Sequence, residues 1–243
     1  MITQKENSHT EQTKIKSKEV YTLFPHYIGE YKLDFAERDI VYKLLLKLKD
    51  KHKDVVISQT AGIEQISGDT YTIGGFQMNM FDNYGINNFT DLSQKHGLTV
   101  EEESAIKKLS NTFRIVANDF SENYPESYFN TNLKMYYKNW FVMYDKNSFQ
   151  EIHTHGTGNL FTIVYFLKLP EKMQYVGSKP DRLEGSLVIT DNSQDYWGTR
   201  VDYIKPEEDK LVIFSGKYPH YTLPLVSEGW RCVIVNDFYM QNE

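Results

Sequence analysis

Asn139-Trp-Phe-Val-Met-Tyr144, Asp145-Lys-Asn-Ser148, Phe149-Gln-Glu-Ile-His-Thr-His155: here the chain runs from an aromatic, β-branched segment through a turn cluster into a second extended segment. The same texture continues almost to the end. Extended runs recur at 160–169, 186–190, 201–204, 211–214, 220–223 and 231–239. Turn-forming residues separate most of them: Gly156 with Gly158, Glu184-Gly185, Asp191-Asn192, Pro206 with Asp209, and Gly229. Short strands at regular spacing with turns between them predict a sandwich or jelly roll.

Upstream the pattern differs. Residues 1–18 are polar and mixed in charge, and are expected to form a loose tail. Residues 19–243 then make one domain, in which 19–133 is a helical and irregular supporting part and 134–241 is the β core. A loose alternation over 21–33, broken by Pro25, predicts an edge strand. Asp34 with Glu37 has the pattern of a capping box. Ala36, Ile40, Val41, Leu44, Leu45 and Leu48 follow at helical spacing, with Lys43, Lys47 and Lys49 on the other face. This predicts a helix over about 35–52. A second capping box, Thr99 with Glu102, precedes Ala105, Ile106, Leu109, Phe113, Val116, Ala117 and Phe120, with Pro125 beyond them, and predicts a helix over about 100–122. Both stripes read as core rather than cofactor-binding faces. Between the helices, 54–98 is rich in Gly, Asn, Asp and Thr. It holds strand-like pieces at 55–57 and 71–73 and turn signals at Gly74-Gly75 and Asn83-Tyr-Gly85.

Composition narrows the class. With 243 residues, 40% of them apolar and 25% charged, the chain suits one globular domain of barrel type. The net charge of -6 argues against a general electrostatic grip on nucleic acid. The single cysteine, Cys232, excludes an intrachain disulfide and fits a reducing compartment. Its place on a strand reads as a small buried apolar group. The first residues lack an apolar signal region, and no apolar run approaches the roughly 18 residues of a membrane span. A cytoplasmic location is expected, or the host cytoplasm if a phage encodes the chain.

Chemistry concentrates in His153-Thr-His155. Alternate residues of a strand point the same way, so both imidazoles face one side, with Glu151 on that side if the strand extends so far. Two imidazoles at this spacing can grip one metal ion, and His220, in a second strand-like stretch, can supply a third ligand. Imidazole suits iron, zinc, copper and nickel. Read from His-x-His alone, two exposed histidines at a strand end fit equally well. His9, His26, His52 and His96 have no partners in sequence and read as surface residues.

The order of these pieces resembles the iron(II)- and 2-oxoglutarate-dependent dioxygenases, and most nearly a small subgroup common in phages and marine bacteria with a His-x-His…His…Arg pattern. Phe149-Gln-Glu-Ile-His-Thr-His155 is similar to the family's first metal motif, and Ile163-Val-Tyr-Phe-Leu167 to the long strand after it. Glu184-Gly-Ser-Leu-Val-Ile189 is similar to the Gly-x-Leu-x-Phe strand of that family. The run from Ile204 to Phe214, followed by His220, is similar to the approach to the distal histidine. Trp230-Arg-Cys-Val-Ile-Val-Asn236 is similar to the final strand. The likeness extends over about 20–240 and is specific over about 139–240.

The resemblance implies a mainly β, cupin-like double-stranded β-helix with flanking helices, and iron(II) and 2-oxoglutarate as cofactors. It implies metal ligation by His153, His155 and His220, which would also be the catalytic centre. Arg231 would hold the far carboxylate of 2-oxoglutarate, a task that arginine's planar fork suits better than lysine's point charge. Tyr144, Tyr165 and Asn236 are further candidates for the co-substrate. Each reads equally as a core or strand-end residue. One departure stands out: the family's second ligand is usually a carboxylate, and here it is His155. Glu151 or Asp145 is the alternative source of that carboxylate.

Two other classes fit parts of the same pattern. One is a three-histidine cupin-type metalloenzyme, such as a thiol dioxygenase, which has no need of Arg231. The other is a non-catalytic jelly-roll binding or virion-associated module. As an oxygenase the chain would couple decarboxylation of 2-oxoglutarate to succinate with hydroxylation of a second substrate, a small molecule or a peptide. It would have no membrane partner, and a homodimer is compatible.

Overall fold

Thr99 and Glu102 do close a capping box. The Thr99 amide donates to Glu102 Oε2 at 2.8 Å, and the Glu102 amide donates to Thr99 Oγ1 at 3.1 Å. In this computed structural model, which describes residues 14–23, 26–51, 72–82, 93–94, 96–123, 134–155, 159–177, 179–180, 182–190 and 201–241, the helix so opened is Val100–Asn123 (α2), and Arg38–Lys51 (α1) precedes it. The stripe predicted for α2 is its buried face: Ala105, Ile106, Leu109, Phe113, Val116, Ala117 and Phe120. The first predicted cap is not one. Asp34 ends a strand and pairs with Lys16, while Glu37 reaches across to Lys108. The Phe35 carbonyl takes the Arg38 amide instead.

The strands, in chain order, are Lys14–Leu23 (β1), His26–Asp34 (β2), Thr72–Ile73 (β3), Phe76–Asp82 (β4), Lys134–Tyr144 (β5), Phe149–His153 (β6), Asn159–Lys168 (β7), Leu187–Thr190 (β8), Val201–Ile204 (β9), Lys210–Phe214 (β10), His220–Thr222 (β11) and Arg231–Gln241 (β12). Part of the expected tail, residues 14–18, is therefore strand, paired antiparallel with β2. An edge strand needs pairing on one side only, so its polar composition is no bar. The 21–33 stretch holds two strands rather than one. Of the strand-like pieces within 54–98, the first, 55–57, and the Asn83-Tyr-Gly85 turn lie outside the described residues. Gly74 and Gly75, both at φ +68, make the turn between β3 and β4.

Two antiparallel sheets result. One has seven strands in the order β1-β2-β10-β7-β12-β5-β4, the other five in the order β3-β6-β11-β8-β9. This is the jelly roll that the sequence predicts. The middle of the large sheet is buried on both faces. One face packs under the helices, where Phe113 and Phe120 of α2 meet Tyr165 and Phe161 of β7 edge-on, with ring centroids 6.0 and 5.2 Å apart. The other packs against the small sheet through Val142, Val164, Phe166, Val233 and Val235, opposed by Leu187, Ile189 and Ile204. Alternation along β7 and β12 therefore decides whether a side chain enters the helix layer or the space between the sheets. No helix among the described residues is long and apolar enough to cross a membrane. Cys232 is fully buried, and burial raises its thiol pKa. His96, expected at the surface, is buried in the turn that leads into α2.

Candidate metal centre

His153 is the last residue of β6 and His220 the first of β11, and the two are antiparallel cross-strand partners. His155 lies just past the strand, where its amide donates to the Gly216 carbonyl at 2.7 Å. The three rings converge, with centroids 4.3 to 5.2 Å apart. His155 Nε2 stands 3.2 Å from His153 Nε2 and 3.1 Å from His220 Nε2.

The other ring nitrogens explain why. His153 Nδ1 lies 2.8 Å from the Glu151 carbonyl, and His220 Nδ1 lies 2.8 Å from the Tyr218 carbonyl. His155 Nδ1 lies 2.6 and 2.8 Å from the carboxylate oxygens of Asp237. Each acceptor holds the proton on Nδ1, so each Nε2 presents a lone pair. Three lone pairs aimed at one another repel unless a cation lies among them. Adjacent ligands of one ion at about 2.1 Å are spaced much like the two short separations seen here. Burial favours the neutral, ligating form. It pushes His153 down to about 4, helped by repulsion from His155, and takes His220 well below the ordinary histidine range. The residues present fit a metal ion.

Among the described residues, the group of histidine, cysteine and acidic side chains able to hold a metal is His153, His155 and His220. The two carboxylates considered as alternatives are elsewhere. Asp145 accepts from Ser148 in the β5–β6 turn, and Glu151 turns its side chain to solvent and offers only its carbonyl.

His155 and His220 also line a cavity between the sheets, together with Tyr144, Arg231, Gln150 and Trp140. Arg231 is 1% exposed. Its Nε donates to the Gly185 carbonyl at 2.8 Å, and its guanidinium carbon lies 5.1 Å from the ring centroids of both Tyr144 and Phe166. Its Nη1 is buried with no hydrogen-bond partner among the described residues. Burial lowers its pKa to about 10, so it stays a cation at neutral pH. A buried cation whose hydrogen-bonding groups are unmet is costly, and a ligand carboxylate would remove that cost. Glu184, fully buried, accepts the amides of Gln174, Val226 and Ser227 and so braces the turn that meets Arg231.

Of the other co-substrate candidates, Tyr144 lines the cavity, with its hydroxyl bonded to Thr72 and Thr222; burial raises its pKa. Tyr165 and Asn236 face the other way. Tyr165 lies in the helix-side core and donates to Asp209 Oδ1 at 2.7 Å. Asn236 accepts from Asn139 Nδ2 at 3.2 Å, and both belong to the helix-facing set of their strands. The alternation phase of β7 and β12 excludes both from the cavity. Sequence reasoning passed over Asp237, the next residue. Its signal was legible: Arg231, Val233, Val235 and Asp237 share one face, and an acid on an otherwise apolar strand face calls for a partner.

Residues 138–237 match the family described as "Putative 2OG-Fe(II) oxygenase". No curated protein matches the chain. A prolyl hydroxylase from Trichoplax adhaerens, solved with a hypoxia inducible factor peptide, is 14% identical over 87% of this chain and 83% of its own, with a TM-score of 0.52. The dioxygenase for auxin oxidation from Arabidopsis thaliana, solved with 2-oxoglutarate, is 13% identical over 84% and 77%, with a TM-score of 0.50. A Burkholderia pseudomallei oxidoreductase of the 2OG-Fe(II) oxygenase family is 14% identical over 46% of this chain, with a TM-score of 0.35, and the chain spans about half of its length, 48%. At these identities the likeness to the first two structures is one of fold.

Proposed function

We propose, from the match of residues 138–237 to the 2OG-Fe(II) oxygenase family, that this chain binds iron(II) through His153, His155 and His220, anchors 2-oxoglutarate on Arg231, and hydroxylates a small molecule or a peptide. Iron(II) and 2-oxoglutarate, when bound, would supply the oxidising chemistry: decarboxylation of 2-oxoglutarate to succinate and carbon dioxide with one atom of dioxygen, coupled to insertion of the other atom into a substrate C–H bond.

The protein's own part is to bind, orient and exclude water. The Nδ1 contacts of the three histidines fix tautomer and ring direction, so little reorganisation is needed when the ion arrives. Arg231 offers a charged donor to a carboxylate, and the Gly185 carbonyl and two aromatic faces hold its stem. Val142, Val164, Leu187, Val233 and Val235 keep the cavity apolar between its two polar features, which strengthens any charge pairing inside it.

The observation that carries this reading is the unmet Arg231 Nη1 in the cavity that His155 and His220 also line. A three-histidine cupin-type enzyme or a non-catalytic module has no use for a buried, unpaired guanidinium. The test is succinate formation from 2-oxoglutarate by the iron(II)-loaded protein in air, together with melting of the manganese-loaded protein. A ligand that binds only the native state raises the melting temperature. Succinate above the protein-free rate and a melting rise at millimolar 2-oxoglutarate are expected. Absence of both would remove the oxygenase reading.

A further inference from the structure

We propose that Asp237 is the carboxylate of this metal centre, held behind His155 instead of on the ion. It is a positioning residue that turns His155 into a more basic ligand and lends the site the negative charge that three imidazoles lack. This inference rests on the reading of His153, His155 and His220 as metal ligands.

Asp237 lies on β12, 2% exposed, and both of its oxygens face His155 Nδ1, at 2.6 and 2.8 Å. Thr162 Oγ1 donates to it at 2.7 Å and the Tyr239 hydroxyl at 2.9 Å. With these donors turned on it, the side chain has the acceptor-only role of an ionised carboxylate. Its cross-strand partner Lys138 carries its ammonium over the Tyr239 ring, 5.5 Å from the centroid. Thr162 and Asn159 extend the contact inward, Asn159 Nδ2 lying 3.3 Å from Thr162 Oγ1. His155 is thus gripped from behind by a buried network that starts at a negative charge.

Chemistry says what such a grip does. A carboxylate that accepts the Nδ1 proton raises the electron density at Nε2 and fixes the ring plane, and removing such a partner typically costs about 10- to 100-fold in metal affinity. His153 Nδ1 meets the Glu151 carbonyl and His220 Nδ1 the Tyr218 carbonyl, whereas His155 Nδ1 meets the Asp237 carboxylate. The charge would sit one imidazole away from a bound ion, on the Nδ1 side of His155 and away from its Nε2.

The experiment is calorimetric titration of manganese(II) into the full chain and three variants, with melting curves taken without metal. Asp237→Asn keeps the shape, and the hydroxyls of Thr162 and Tyr239 can turn to accept from the new amide. It is expected to weaken manganese binding about 10- to 100-fold. Tyr239→Phe removes a hydrogen bond to Asp237 but leaves its charge, and is expected to bind manganese within about threefold of the unaltered protein, well short of the loss in Asp237→Asn. His155→Asp combined with Asp237→Asn moves the carboxylate onto the ion and is expected to recover binding relative to Asp237→Asn alone. If that single variant does not fold, a folded, manganese-binding double variant still supports the proposal, and a double variant without binding overturns it. Unchanged affinity in Asp237→Asn, or equal losses in Asp237→Asn and Tyr239→Phe, would reduce Asp237 to packing and overturn it. Absence of manganese uptake by the unaltered protein would sink the three-histidine reading as well, which separates the two failures.

Discussion

Arg231 and Tyr144 are direct cross-strand partners of β12 and β5, and the guanidinium carbon sits 5.1 Å from the tyrosine ring centroid. The aromatic face and the Gly185 carbonyl fix the guanidinium but do not neutralise it. A charge-assisted pair with a ligand carboxylate in such a pocket is worth on the order of 2–5 kcal/mol when one partner is removed. Arg231→Ala is therefore expected to weaken 2-oxoglutarate binding about thirtyfold or more, at 1.4 kcal/mol per tenfold, with metal binding largely intact. Arg231→Lys should recover part of the loss, because a point charge cannot reproduce the planar fork. Calorimetry of 2-oxoglutarate into the manganese-loaded, oxygen-free proteins checks this; equal affinities in all three would take Arg231 out of the site.

His220 is the most deeply buried of the three candidate metal ligands, 2% exposed and paired in register with His153. Removing one of three ligands leaves two imidazoles, a set common on exposed surfaces and weak on its own. His220→Ala is expected to abolish metal uptake or to weaken it well over tenfold. Elemental analysis after dialysis against iron(II) or manganese(II) gives the answer, and full metal content in the variant would show that His220 is no ligand.

Acid should act on the fold and the metal together. His153 is held down to about 4 by burial and by His155, and His220 lies lower than the ordinary range for the same first cause, whereas an unfolded histidine titrates near 6.5. Between those values the unfolded chain binds more protons than the folded one, so stability rises with pH across this window. It is complete above about pH 6.5 and is lost progressively as the pH falls toward about 4. Metal affinity should drop over the same range, because a protonated imidazole cannot ligate. Metal-free melting curves from pH 8 to 4, with manganese titrations alongside, test the direction. A melting temperature that rose on acidification through this window would contradict it.

Most of the β core could be read from sequence because its strands are short, β-branched and separated by turn residues; β9 at Val201–Ile204 matches the expected 201–204 run. The capping box at Thr99 was legible because both of its bonds are local. Asp34 was misleading because pairing with β1 carries β2 through it, and a tertiary contact outweighs a local preference. The face on which Tyr165 lies was not legible, for a different reason. β7 is buried on both sides, with only Leu160 and Lys168 short of full burial, so alternation leaves no polar side to set its phase. Glu184 was invisible because its partners, Val226 and Ser227, are remote in sequence.

Gly185 holds Arg231, the proposed co-substrate anchor, to a narrow tolerance. It sits at φ +66, its carbonyl takes Arg231 Nε, and a Cβ placed on it would lie 2.7 Å from Arg231 Cδ and 3.1 Å from Nε. Gly185→Ala must therefore move either the guanidinium or the turn that Glu184 braces. A non-glycine residue in this conformation costs of order 1–3 kcal/mol by itself, so lower stability alone would say nothing about the site. Gly177 separates the two effects: its φ is +77, and a Cβ there meets nothing within 4 Å among the described residues. Gly177→Ala should carry a comparable backbone cost and leave 2-oxoglutarate affinity unchanged. Gly185→Ala should lower that affinity about tenfold or more, equivalent to 1.4 kcal/mol, with manganese affinity unaltered in both. Calorimetry and melting curves on the two manganese-loaded variants decide it. Equal 2-oxoglutarate affinities in folded Gly185→Ala and Gly177→Ala would mean that the Gly185 turn does not set the position of Arg231.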